Sequence, residues 1–291
     1  MMKKTILTFA GLLLTTGAFA QATTSSANTT STNALSDFYG SLKASPLKFT
    51  FIEEFAPGRN ENNDLTTDTW SNTITPYFSY KLNDRNSLAA YGQWSTSKSD
   101  PERAYTTAWS NLTFDYSFKN ILTEDSNGIG MNFVARQRFF MDAIQNNKAT
   151  SGYSRVGAKF YKTIGKVSGS ADVLFAKYHQ NSEVADATTA DTYFYIPANV
   201  SLTLGEKGYV AFLPEYFRQF ATETTDSLSN NLSAAIEGGY QVTDQLGLAL
   251  NIGQAELVNF NGGMQGVADR KIKANPLADL DYTFQLSMSV F

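Results

Sequence analysis

The sequence contains one histidine and no cysteine. Disulfides and thiolate metal sites both require Cys, and a His-rich metal site requires more than one His. His179 lies in YHQNSE (178–183), with Asn181 two residues on and Ser182 three residues on. Serine catalysis needs base and nucleophile within hydrogen-bond reach. Along a strand a spacing of three puts His179 and Ser182 on opposite faces, so only a loop could join them. A solvated loop His is the plainer reading. No catalytic residue, metal ligand or cofactor is assigned.

The other residues that could do chemistry are charged, and they recur inside alternating segments. Arg136 and Arg138 lie in GIGMNFVARQRFF (128–140), and Arg155 and Lys159 in GYSRVGAKFYKTI (152–164). Asp172 lies in KVSGSADVLFAKY (166–178), Glu215 in GYVAFLPEYFRQF (208–220) and Glu237 in NNLSAAIEGGYQV (230–242). Asp281 lies in LDYTFQLSMSVF (280–291). Each falls on the phase opposite the apolar set. If that set faces lipid, these residues line the interior of a barrel.

Hairpin centres estimate their pairing. A centre near 145–146 sets Arg136 opposite Arg155, and a centre near 226 sets Glu215 opposite Glu237. Like charges directly opposite cost a few tenths of a kcal/mol, so stability alone does not explain them. The expected lumen has a basic wall (Arg136, Arg138, Arg155, Lys159) facing an acidic one (Asp172, Glu215, Glu237, Asp281). Such walls create a transverse field that selects solutes in a water-filled pore. The alternative is a lumen closed by cross-barrel salt bridges, such as Arg136 to Glu215, with no pore.

These residues need long strands to position them. Charged residues make up 17% of the 291 residues and aromatics 13%, with a mean hydropathy of −0.26. About 25% charge is typical of soluble domains. Here Ser, Thr, Asn and Gln dilute the apolar residues, as in a surface with lipid on one side and water on the other. Period-2 alternation predicts twelve strands of about 10–14 residues, and a tilted membrane strand needs roughly 9–11. They begin with SPLKFTFIEEFA (45–56), SNTITPYFSYKL (71–82), SLAAYGQWSTS (87–97) and YTTAWSNLTFDYSF (105–118). Tight turns at 83–86, 164–166, 205–208 and 243–245 alternate with polar loops at 57–69, 98–104, 141–151, 179–190, 221–229 and 257–276. The remaining connection, 119–127, falls on the tight-turn side. The predicted fold is all-β: a single transmembrane antiparallel up-and-down barrel of about twelve strands over 45–291. A soluble β-sandwich also alternates, but its strands are usually about 5–6 residues long.

Residues 1–20 read as a cleaved signal peptide: Lys3 and Lys4, an apolar run from Ile6 to Leu14, then Ala18-Phe19-Ala20. Residues 21–44 begin with QATTSSANTTSTNA and read as a low-complexity periplasmic segment. The net charge of −4, with no Lys/Arg cluster, argues against a nucleic-acid partner.

Together, signal peptide, alternating strands and terminal Phe291 resemble the Gram-negative outer-membrane β-barrel proteins, with a porin-like architecture. The resemblance implies an outer-membrane location with both termini periplasmic. It implies outer-membrane lipids and lipopolysaccharide as surroundings, and an insertion machinery that reads the last strand and Phe291 as its signal. By strict alternation Phe291 is in phase with Ser289, Ser287 and Gln285, and so faces inward. Some barrels of this size are phospholipases that use a His-x-Ser pair with an Asn; here the residue two after His179 is Asn181. Barrel proteases use a His with several acids, and no matching motif stands out.

The expected function is a porin-like channel for passive diffusion of ions and small hydrophilic solutes, without cofactor or enzymatic activity. The alternatives are a plugged structural or adhesive barrel and a lipid hydrolase. Alternation also places Trp109 inward. Phe118, Phe139, Phe140, Tyr178, Phe194 and Tyr240 are expected in interfacial girdles. Ala90 and Gly92 form the one flat outward patch at which protomers could meet.

Overall fold

Every one of the twelve alternating segments forms a strand. The computed structural model describes residues 46–59, 65–98, 104–185, 189–221, 227–259, 271–272 and 280–290. The signal segment 1–20, the 21–44 segment and Phe291 lie outside the described residues.

The strands are β1 (Leu47–Arg59), β2 (Leu65–Lys81), β3 (Asn86–Lys98), β4 (Thr106–Leu122), β5 (Gly130–Phe140) and β6 (Thr150–Ile164). β7 (Val167–Gln180), β8 (Ala190–Leu204), β9 (Gly208–Ala221), β10 (Ser227–Gln241) and β11 (Leu246–Asn259) follow. A two-residue β12 (Lys271–Ile272) pairs with the end of β11, and β13 (Asp281–Ser289) completes the wall. Two short helices, α1 (Glu124–Asn127) and α2 (Met141–Gln145), sit in connections.

Each wall strand pairs antiparallel with its neighbour in sequence, and β13 pairs with both β11 and β1. Thr50 lies opposite Ser289 and Phe55 opposite Phe284. The sheet is therefore a closed twelve-strand antiparallel barrel. Closure leaves no edge, so the ladder can satisfy its backbone groups without water, as a hydrocarbon environment requires. No helix among the described residues is long and apolar enough to cross a membrane.

Alternation sets the two surfaces. Phe78, Phe114, Val156, Phe175, Phe212, Ile236 and Leu248 are between 45% and 58% exposed and point outward. Their sequence neighbours turn inward. Tight turns occupy one end. The Asn83 side chain accepts from the Arg85 and Asn86 amides, both at 2.9 Å. The Thr243 hydroxyl accepts from the Gln245 and Leu246 amides. Gly165 and Gly205 hold φ of 60° and 64°, a left-handed geometry that glycine enters without a Cβ clash. α1 closes the longer connection at this end, and the loops occupy the other.

Two register features depart from simple counting. Glu215 faces Ser233 and Glu237 faces Ala211, so the two acids are not opposite each other. β9 runs to Ala221 and β10 begins at Ser227, which shifts the hairpin centre from the expected 226 to about 224 and carries Glu237 toward the turn end. A second shift, between Gln93 and Trp94, sets Trp94 opposite Trp109 with Ser110 as the extra residue. The bulge turns Trp109 outward, against the alternation expectation. Its ring stacks on Trp94 at 5.6 Å and 12°. Gly92 makes room for this pair, since a Cβ there would meet the Trp94 ring at 3.0 Å. The small-residue patch at Ala90 and Gly92 is therefore partly roofed by tryptophan, and Gly92 is buried.

Candidate functional site

The inward faces of β4 to β9 bring most of the expected charged residues onto one wall. Arg136 lies opposite Arg155, as the hairpin centre predicts. Its strongest partner is on the other side: Asp115 of β4, directly opposite it in the β4–β5 ladder. Arg136 Nε and Nη2 donate to the two Asp115 oxygens at 2.6 and 2.7 Å. A bidentate guanidinium–carboxylate pair is among the strongest polar contacts available to side chains. The bridge from Arg136 across the lumen to Glu215, the example given for the closed-lumen alternative, is not made, because Asp115 is the directly paired neighbour.

Arg138 is held differently. Its Nε donates to Thr113 Oγ1 at 3.1 Å, and it also hydrogen-bonds the Tyr91 hydroxyl. Its guanidinium lies 5.6 Å from the Tyr153 ring centroid. Arg155 lies 5.9 Å from the same ring and 6.0 Å from the Tyr195 ring. Tyr195 in turn hydrogen-bonds Glu215. Among the described residues, no carboxylate lies within ion-pair distance of Arg138 or Arg155, whereas Arg136 has Asp115.

Lys159 and Asp172 are buried and directly opposite each other on β6 and β7. The expected basic and acidic walls thus interpenetrate here. Glu237 is a separate site toward the turn end. It accepts from the Tyr209 hydroxyl at 2.7 Å and from Asn251 Nδ2 at 3.4 Å. Tyr209 reaches it by lying over Gly239, where a Cβ would come within 2.2 Å of the ring. Asp281 is exposed at the loop end, as the first residue of β13. Glu54, in the same inward phase as buried Ile52, adds an acid beside Gln285 that the sequence reading did not single out.

An aromatic cluster carries the arginines. Tyr153, Ala176 and Tyr193 are 6%, 1% and 4% exposed, with Phe140, Tyr178, Tyr195 and Phe217 packed against them. Tyr153 and Tyr193 meet nearly perpendicular at 5.3 Å, a favoured aromatic geometry. Phe140 and Tyr178, expected in girdles, belong to this inward cluster. Tyr240 is 55% exposed on the outside.

On the outer face near the loop end, His179 meets a serine that spacing alone did not indicate. Ser154 Oγ is 2.9 Å from His179 Nε2 and 2.6 Å from Gln137 Oε1. The single hydroxyl proton serves one of them at a time. Gln137 Nε2 lies 3.3 and 3.4 Å from the two ring nitrogens. Ser182 is in the following turn, outside this group.

No family model matches the sequence, and no curated protein matches it either. Solved structures do match in fold. One is the COG4313 outer membrane channel from Pseudomonas putida F1, with a TM-score of 0.52 at 11% identity, covering 84% of this chain and 96% of that one. Another is OmpT, an outer membrane protein of Vibrio cholerae, with a TM-score of 0.40 at 9% identity, covering 84% and 97%. With its closed twelve-strand wall, largely apolar outside and charged inside, the chain has the fold of the outer-membrane β-barrel proteins.

Proposed function

We propose that the chain is an outer-membrane channel for passive diffusion of ions and small hydrophilic solutes, with both termini in the periplasm. One observation carries this reading. The inward surface holds Arg136, Arg138, Arg155, Lys159, Asp172, Glu215 and Glu237, while large apolar side chains dominate the outward surface, interrupted by the Glu53–Asn72 pair and by the Gln137, Ser154 and His179 group. Charged side chains are costly in a dry interior and common in a wet one. Tight turns at the end that carries the termini fit the usual periplasmic side. Outer-leaflet lipid, lipopolysaccharide and the insertion machinery are the partners that such a location supplies.

Planar-bilayer recording of the refolded chain tests it. Stepwise conductance is expected, and Arg155→Glu should shift the reversal potential in a salt gradient toward cation preference. Silence across several lipids and voltages would sink the channel and leave a plugged structural barrel.

A second reading rests on Ser154 and His179. Their 2.9 Å contact on the lipid-facing side would suit acyl hydrolysis of a membrane lipid. A fluorophosphonate probe should then label Ser154 and fail to label His179→Ala. Absence of labelling in the folded barrel removes the enzyme.

A further inference from the structure

We propose that the inward face formed by Arg138, Tyr153 and Arg155 binds small aromatic carboxylates, a ligand class that deepens the channel reading and rests on a water-accessible lumen. The two guanidiniums come from adjacent strands and approach one buried ring, Tyr153, at 5.6 and 5.9 Å. Arg138 is tethered by Thr113 and Tyr91, so its position is fixed without a counter-charge. Arg155 rests between the Tyr153 and Tyr195 rings. Arg136 next to them is already matched by Asp115, which leaves the positive charge of this wall on Arg138 and Arg155.

The surroundings decide what kind of anion fits. Buried Tyr193 packs on Phe217 at 5.4 Å, and Tyr195 meets Phe217 at 6.2 Å, so the half-buried Tyr195 and Phe217 rings form an aromatic surface beside the cations. A planar apolar body can lie on that surface while its carboxylate reaches the guanidiniums, which match carboxylate geometry through two parallel donors. A phosphate has no apolar body to use the rings. A sugar would call for several carboxylate and amide acceptors around the rings, where Arg138 and Arg155 present cationic donors and the one carboxylate described beside the rings, Glu215, is engaged by Tyr195.

Calorimetric titration of the refolded full chain in detergent micelles tests the site with benzoate, acetate and benzyl alcohol, each corrected against empty micelles. Benzoate should bind saturably and at least tenfold more tightly than either acetate or benzyl alcohol. Arg138→Gln and Arg155→Gln should each weaken benzoate at least tenfold, while Lys48→Gln, exposed at the start of β1, should leave it unchanged. Should an arginine variant fail to fold, Tyr195→Leu takes its place and should shrink the preference for benzoate over acetate. Equal affinity for acetate would overturn the site as a simple anion attractor, and equal affinity for benzyl alcohol would overturn it as an apolar crevice. Conductance without benzoate binding overturns the site and keeps the channel. Benzoate binding without conductance keeps the site and overturns free diffusion.

Discussion

Asp115 and Arg136 illustrate how one directly opposed pair reshapes a charged surface. Their side chains are 21% and 11% exposed, so both charges are largely withdrawn from water. Removing one partner of such a pair strands the other, at a typical cost of about 3–5 kcal/mol. Asp115→Asn should therefore lower the denaturant midpoint of the refolded barrel by the equivalent of about 3 kcal/mol, the low end of that range, because neither side chain is fully buried. The same variant should raise anion preference in reversal-potential recordings, since Arg136 is no longer neutralised. Arg136 opposite Arg155 was legible from the sequence through the hairpin centre alone. Asp115 was not legible by the same arithmetic: the connection read as 119–127 centres near 123 and would set 115 against 131, whereas the irregular β4–β5 register sets it against Arg136. Ser154 beside His179 was harder to find. It is a diagonal contact in the β6–β7 ladder, where His179 faces Gly152 and Ser154 faces Lys177, so neither spacing along one strand nor direct opposition marks it.

Strands with a strict two-residue period were readable because each side chain reports which surface it occupies. All twelve wall strands follow from that rule, and the tight turns follow from Asn83, Gly165, Gly205 and Thr243. Bulges were not readable, because alternation counts straight through an extra residue. The bulge at Ser110 is the clearest case, since it carries Trp109 from the expected lumen to the outer surface. In a variant with Trp70 and Trp94 changed to Phe, Trp109 is the one remaining tryptophan of the three. Its fluorescence should fall by about half or more in vesicles of brominated lipid and respond little to iodide. Strong iodide quenching without lipid quenching would return Trp109 to the lumen. The β9–β10 register was lost for a different reason: Ser227 to Ser229 read as polar loop but form the start of β10, which shortens the connection, separates Glu215 from Glu237 and removes the expected acid pair.

The barrel as a whole divides its chemistry by height and by side. Arginine and tyrosine share the wall of β5 to β9, Glu237 stands apart toward the turns, and tryptophan girds the outside near the loops. Closure adds a consequence for how the molecule is made. Thr50 pairs with Ser289, so the contact that closes the wall joins residues far apart in the sequence. Such non-local contacts demand a large loss of chain entropy before any ladder bond repays it, which slows folding. Until β13 is seated, β1 and β11 both present unpaired amides and carbonyls, the most aggregation-prone surface a sheet can offer. A chaperone that shields those two strands in transit would do more for its yield than any gain in the stability of the finished wall.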